Sequence, residues 1–221
     1  MASLSASGDN PGGREIKVAD EDYGSRPLSE LALDAVSQTK GACLMYQNQP
    51  VNGAYFAVSN GATRNGEELS LNECPYLKSV LCSRDFLSED YTGIVTLKES
   101  EFWRSWQQMP SAGKREEENL KGEPEKELGD INIWRDSAGY VLYLERDGKL
   151  VNGERFRESL HLASSSFHLS EEKGDIIITV KGAGHGLGMS CFAANEMAGE
   201  GKDYTEILHY FFQDVTITKF E

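Results

Sequence analysis

The residues with most chemical potential lie in one run, Lys181-Gly-Ala-Gly-His-Gly-Leu-Gly-Met-Ser190. Its imidazole, His185, titrates near neutral pH and could serve as a general acid or base. It could equally brace a tight turn through hydrogen bonds within the loop, because no acid partner stands within sequence reach. Glycines at every second position expose backbone and allow another segment or a ligand to come close. The spacing excludes a phosphate cradle. A dinucleotide loop needs G-x-G-x-x-G, and after Gly182 and Gly184 the third position is Leu187; no Gly-Lys-Ser/Thr closes the run as a Walker loop would. Ser190 is a ready N-cap for the following Ala193, Ala194, Met197, Ala198 stripe.

Charge narrows the partners. The 221 residues carry 22 Lys and Arg against 36 Asp and Glu, a formal net charge of −14. A polyanion reader needs a basic face that neutralises phosphates, so nucleic acid is excluded as an expected partner. The sequence contains no run of about 18 to 20 apolar residues that would make a membrane segment. The first residues lack the cationic start and apolar middle of a secretory signal. Cys43, Cys74, Cys82 and Cys191 are too scattered for a disulfide framework and form no C-x-x-C pair; they read as small buried or half-buried thiols. The expected cofactor complement is none, and no metal site is read.

The loop needs elements to hold it. Residues 175–180, Asp-Ile-Ile-Ile-Thr-Val, read as the strand that delivers it. Upstream, residues 1–26 are expected to be a flexible amino-terminal segment. Leu28, Leu31, Ala32, Ala35 and Val36 recur at helical spacing, with Pro27 at the first turn and Gly41 as a stop. Residues 42–46 and 51–59 alternate as two strands of a hairpin turning near Asn48. A polar loop follows over residues 60–72. Thr96 and Glu99 have the form of a capping box ahead of a helix bearing Phe102, Trp103 and Trp106, an aromatic stripe read as core. Residues 111–130 are mostly charged and read as a solvated or mobile acidic segment. Strands are expected over 131–134 and 140–144, a hairpin turn at Asp147-Gly148, and a short helix over 153–162. Without β-α-β alternation the fold class is α+β: one mixed domain of short strands and helices over residues 27–221.

Several blocks then become specific. Gly182-Ala-Gly-His-Gly-Leu-Gly-Met-Ser190, continued by Ala193-Ala-Asn-Glu-Met-Ala-Gly-Glu-Gly-Lys-Asp-Tyr204, resembles the closing signature of the stage II sporulation protein D family, also called the amidase-enhancer family. Thr39-Lys-Gly41, Leu44-Met-Tyr46, Val51-Asn-Gly-Ala-Tyr-Phe-Ala-Val-Ser59-Asn-Gly61 and Pro75-Tyr-Leu-Lys-Ser-Val80 look like its middle blocks in the same order, so the resemblance covers about residues 28 to 218.

The resemblance implies an extracytoplasmic protein of the cell wall or membrane surface. Its implied activity is that of a peptidoglycan lytic transglycosylase, which cleaves glycan strands stripped of their stem peptides. One carboxylic acid would protonate the leaving oxygen and then assist attack by the sugar's own 6-hydroxyl. The family carries that acid in a Val-Val-Ala-x-Glu-Met-Pro block near the start of the domain. This sequence has no Glu-Met-Pro, and its opening Met1-Ala-Ser-Leu-Ser resembles the end of the helix after that block, so the chain reads as amino-terminally truncated, with no catalytic residue assigned. The alternative implied role is a noncatalytic module that binds wall glycan or enhances an amidase. Partners would be peptidoglycan glycan strands and other cell-wall hydrolases. By resemblance the substrate cleft is lined by Ser59, Asn60, Tyr76, Lys78, His185 and Gly186. Ser and Asn suit sugar hydroxyls and N-acetyl groups, Tyr offers a stacking face, and Lys can pair with a carboxylate. Ser59 and Asn60 also read as a self-capped loop and Lys78 as a snorkelling surface residue.

Overall fold

The computed structural model of the chain describes residues 28–113, 120 and 122–220. The expected amino-terminal segment 1–26 and Pro27 lie outside the described residues. The described residues fall into two compact units, 28–52 with 215–220, and Gly53–Asp214.

The smaller unit holds helix α1 (Leu28–Gln38), strands β1 (Ala42–Tyr46) and β2 (Gln49–Pro50), and a late strand, Thr216–Lys219, antiparallel to β1. The hairpin turns on Gln47 and Asn48, both at positive φ, as a two-residue turn of inverted hand requires. Its second strand is shorter than the alternation over 51–59 suggested. Residues from Gly53 onward belong to the other unit, where β3 (Tyr55–Phe56) pairs elsewhere.

The larger unit is mixed α+β. Strand β4 (Thr92–Lys98) lies beside β10 (Asp175–Lys181), which lies beside β9 (Phe167–Glu172), all antiparallel. A second sheet runs β5 (Glu125–Glu127), β6 (Ile131–Arg135), β7 (Val141–Arg146), β8 (Lys149–Asn152). Helices α2 (Glu99–Gln108) and α3 (Gly153–Ser159) pack with these sheets, and α4 (Cys191–Gly199) and α5 (Tyr204–Phe211) follow the glycine loop. The core gathers Phe102 and Trp106 of α2, Phe156 of α3, Ile131 and Ile133 of β6, and Phe167, Ile176 and Ile178 of β9 and β10. Phe156 and Phe167 stack with ring centroids 4.8 Å apart. Burial of this apolar area is the main favourable term for the unit.

Two expectations change. Thr96 is not a helix cap: the ladder Thr92↔Lys181 to Lys98↔Asp175 runs through it, and α2 starts at Glu99 after Lys98, with no side-chain cap. Seven paired residues outweigh one local capping bond. The acidic stretch also ends sooner than residue 130, since Glu125–Glu127 pair with β6 as an edge strand. Glu127 accepts from Arg135 Nη2 at 2.6 Å, from His168 Nδ1 at 2.8 Å and from the Leu169 amide at 2.6 Å, which ties β5 to β6 and β9. Residues 114–119 and 121 of that stretch lie outside the described residues. Among the described residues no helix is long and apolar enough to cross a membrane.

Candidate functional site

The glycine loop is built as a crossing of two backbones. Ala183 and Val58 exchange amide-to-carbonyl bonds of 2.7 and 3.0 Å, the Met189 amide donates to Ala54 O at 3.0 Å, and β11 (Met189–Ser190) pairs in parallel with β3. The glycines serve that approach. At Gly188, with φ +77°, a Cβ would stand 2.1 Å from Ala54 O; at Gly186, also at φ +77°, it would stand 2.6 Å from Cζ of Tyr140 and 2.9 Å from the Arg64 stem. Any side chain would push the two segments apart.

His185 sits at the centre of the loop, half-buried, beside Phe56 at a ring separation of 5.7 Å. Its Nδ1 accepts from the Leu187 amide at 3.1 Å, which leaves the proton of the neutral ring on Nε2, and the ring also bonds the backbone of Tyr55. The imidazole therefore braces the turn. Burial holds its pKa below 6.5, opposed by the nearby Glu154 carboxylate.

Beneath the loop lies a polar cluster that sequence reasoning missed. Arg64, 2% exposed, donates from Nε to Asp136 at 2.6 Å and from Nη1 to Glu154 Oε1 at 2.7 Å. Its amide donates to Gly186 O at 2.7 Å, and its guanidinium lies 5.0 Å from the centre of the Tyr140 ring. Burial pushes the Asp136 carboxyl above its ordinary pKa of 3.8, with Arg64 pulling the other way. Burial likewise raises the pKa of the Tyr140 phenol. Glu154, 32% exposed at the start of α3, also accepts from Ser165 Oγ at 2.6 Å and from Arg157 Nη1 at 3.3 Å. It is thus a fixed, partly solvated carboxylate near enough to the half-buried imidazole to act on its charge.

The expected cleft residues fall into three groups. Ser59 and Asn60 join the cluster as brackets. Ser59 is fully buried, its amide donating to Asp85 Oδ2 at 2.6 Å and its hydroxyl accepting from the Gly61 amide at 3.0 Å. Asn60 Nδ2 donates to Ala138 O at 2.7 Å and to Ser166 Oγ at 2.9 Å. Of these bonds only the one from Gly61 is local to the loop; the others reach distant segments. His185 and Gly186 meet Arg64 and Tyr140, as above. Tyr76 and Lys78 stand apart from that group. Tyr76 is buried, its hydroxyl directed to Cys74 Sγ at 3.3 Å, so its ring presents no open stacking face. Lys78 pairs with Glu67 at the surface, while its carbonyl accepts from Thr63 Oγ1 at 3.2 Å. Glu68, in the same polar loop, caps the turn at Ser137 through its amide, at 2.7 Å.

The Ser190 hydroxyl caps α4 by accepting from the Ala193 amide at 3.3 Å, and it donates to Asp85 Oδ2 at 2.7 Å. The four cysteines are free thiols; burial raises Cys82 to about 12 and Cys191 above 9.0. Among the described residues no group of three or more His, Cys, Asp or Glu is placed to hold a metal ion.

No protein-family profile matches the chain. It is 36% identical over 186 residues to stage II sporulation protein D of Bacillus amyloliquefaciens, covering 84% of this chain and 50% of that protein. To stage II sporulation protein D of Bacillus subtilis strain 168 it is 34% identical over 187 residues, with 84% and 50% covered. To the amidase enhancer of the same strain it is 23% identical over 239 residues, with 90% of this chain and 34% of that protein covered. The chain spans about half the length of the stage II sporulation relatives it matches.

Proposed function

As this chain is a homologue of the stage II sporulation protein D family, we propose that it acts in the bacterial cell wall on peptidoglycan glycan strands, outside the cytoplasm. The observation that carries this reading is the 36% identity sustained over 84% of the chain. The glycine loop and its polar support fit it. Glycan recognition asks for fixed hydrogen-bond groups near a partly open surface. Glu154, held by Arg64, Ser165 and Arg157, and Lys78, held by Glu67, are such groups. In this reading Glu154 and Lys78 contact sugar directly, while His185, Gly186, Ser59, Asn60 and Tyr76 shape the surface that carries them.

The finer proposal is lytic transglycosylase chemistry, with the family's general acid in a Glu-Met-Pro block. This sequence contains no such block. The competing proposal is a noncatalytic glycan-binding or amidase-enhancing module. It is favoured by the similarity to the amidase enhancer and by the engagement of the carboxylates around the loop, Asp85, Asp136 and Glu154, in hydrogen bonds that hold structure.

The test uses denuded glycan strands, with co-sedimentation for binding and mass spectrometry for 1,6-anhydro ends. The 221-residue chain is expected to bind and to release no 1,6-anhydro product. Fusing a family segment with the Glu-Met-Pro block should restore release, and Glu→Gln in that block should abolish it, since general acid catalysis contributes about 10² to 10⁴ in rate. Failure to bind glycan would refute the reading. Release of 1,6-anhydro sugar by the chain alone would assign the acid to a carboxylate already present, with Glu154, Glu67 and Glu68 the first to replace.

A further inference from the structure

The larger unit carries a second concave surface, formed where α2 meets the β7–β8 hairpin and lined by none of the loop residues described above. Its cavity of about 580 Å³ is bordered by Glu99, Trp103, Trp106, Arg146, Asp147 and Lys149. That volume lies within the roughly 300 to 1,000 Å³ of small-molecule sites. Arg146 lies flat against Trp103, its guanidinium carbon 3.8 Å from the centre of the indole. Trp103 is itself fixed, donating from Nε1 to Glu99 at 3.2 Å and meeting Phe102 and Trp106 edge-on. Such stacking fixes the plane of a guanidinium, whose paired N–H groups suit a carboxylate.

Arg146 Nε is buried and makes no hydrogen bond. The neighbouring Asp147 carboxylate stands 3.4 Å away as a loose ion pair and is 88% exposed at the hairpin turn, so it does not satisfy the group. Lys149 Nζ donates to the carbonyls of Trp106 and Gln107 at 2.6 and 3.0 Å, where α2 ends, with a third N–H to give. A stacked, under-satisfied guanidinium and an anchored ammonium facing one cavity are two donors for one anion.

We propose that this cavity is a binding site for a carboxylate on a ligand of sugar or short-peptide size, which displaces Asp147 from Arg146. Two sources present that chemistry: the lactyl carboxylate of a muramic sugar and the terminal carboxylate of a peptide. The carboxylate site stands on this geometry alone, whereas the choice of these two sources rests on the proposed cell-wall function. Glu99 and Asp147 at the rim disfavour more highly charged anions, so the ligand carries a single carboxylate.

The full chain is titrated with N-acetylmuramic acid, with N-acetyl-D-alanyl-D-alanine, and with N-acetylglucosamine as the neutral control, read by calorimetry and by tryptophan fluorescence. At least one carboxylate ligand should bind saturably, and the neutral sugar should not. Binding should weaken at least tenfold in Arg146→Gln and less in Arg146→Lys, and should be unchanged in Lys173→Gln, each checked for folding by circular dichroism. Preference for the muramic sugar or for the peptide identifies the source. Equal binding of the neutral sugar, no saturable binding of either acid, or unchanged affinity in folded Arg146→Gln overturns the proposal. Should Arg146→Gln fail to fold, Arg146→Lys and the methyl ester of the bound ligand carry the same test.

Discussion

The larger unit holds together in two different ways. Around Phe102, Phe156, Phe167 and Ile178 it is an apolar core drawn from regular strands and helices. Around Gly186 it is a crossing of irregular segments, stapled by Arg64, Asp136, Asn60 and Asp85. The first region tolerates change in any one contact at the cost of lost burial, since dispersion and hydrophobic terms are non-directional. The second depends on each donor finding its acceptor, because an unpaired buried charge costs more than the pair contributes. The functional candidates lie in the second. There Arg64, Ser165 and Arg157 fix the carboxylate of Glu154 where α3 begins.

The contrast can be broken from either side. Arg64→Met leaves Asp136 buried and uncompensated and should cost about 3 to 5 kcal/mol by urea denaturation; adding Asp136→Leu should recover much of that loss. Phe156→Ala should cost about as much, roughly 3 to 5 kcal/mol, but no single second substitution should rescue it. If the Arg64 and Phe156 variants respond alike to rescue, the distinction between the two regions fails. Gly188→Ala sets a Cβ against Ala54 O at positive φ and should cost about 2 to 3 kcal/mol, read as a lowered melting temperature.

Smaller effects sharpen the picture. Burial holds the folded His185 pKa below 6.5, so as pH falls through 6.5 the unfolded chain takes up the proton first. Stability from this group is complete above 6.5, declines below it, and levels off once the folded ring also protonates. His185→Gln should flatten that part of the melting-temperature profile. Smallest is Lys78→Ala, whose half-exposed pair with Glu67 should contribute under about 1 kcal/mol to stability. In the proposed function the same variant weakens glycan co-sedimentation, and an unchanged pellet would remove Lys78 from the glycan surface.

What could be read from the sequence follows the same divide. The strand Asp175–Lys181, the Asp147-Gly148 turn, the Asn48 turn and the Ser190 cap all announce themselves because their signals are local: alternation, turn chemistry, a capping hydroxyl. Thr96 misled because a local capping pattern lay inside a long-range ladder. Arg64 gave no signal. Its partners Asp136 and Glu154 sit in a turn and at a helix start, where such residues are common, and nothing in spacing links them to a cation in a distant loop. Ser59 and Asn60 were visible as polar loop residues, but their satisfaction by Asp85, Ala138 and Ser166 is a property of the assembled chain.

The parallel pairing of Tyr55 with Met189 and of Phe56 with Ser190 joins the first and last thirds of the larger unit. Contacts between such distant stretches carry a loop-closure cost that only the folded intervening chain reduces, and they are slow to form. The glycine loop therefore closes after the sheets of the larger unit. The sheets and their core can assemble while the carboxy-terminal stretch is still being synthesised, but the surface bearing Glu154 stays open until Ser190 has emerged. In refolding followed by pulsed hydrogen exchange, the amides of Val58 and Ala183 should gain protection after those of Ile176 and Ile178, so that the site matures after the core that supports it.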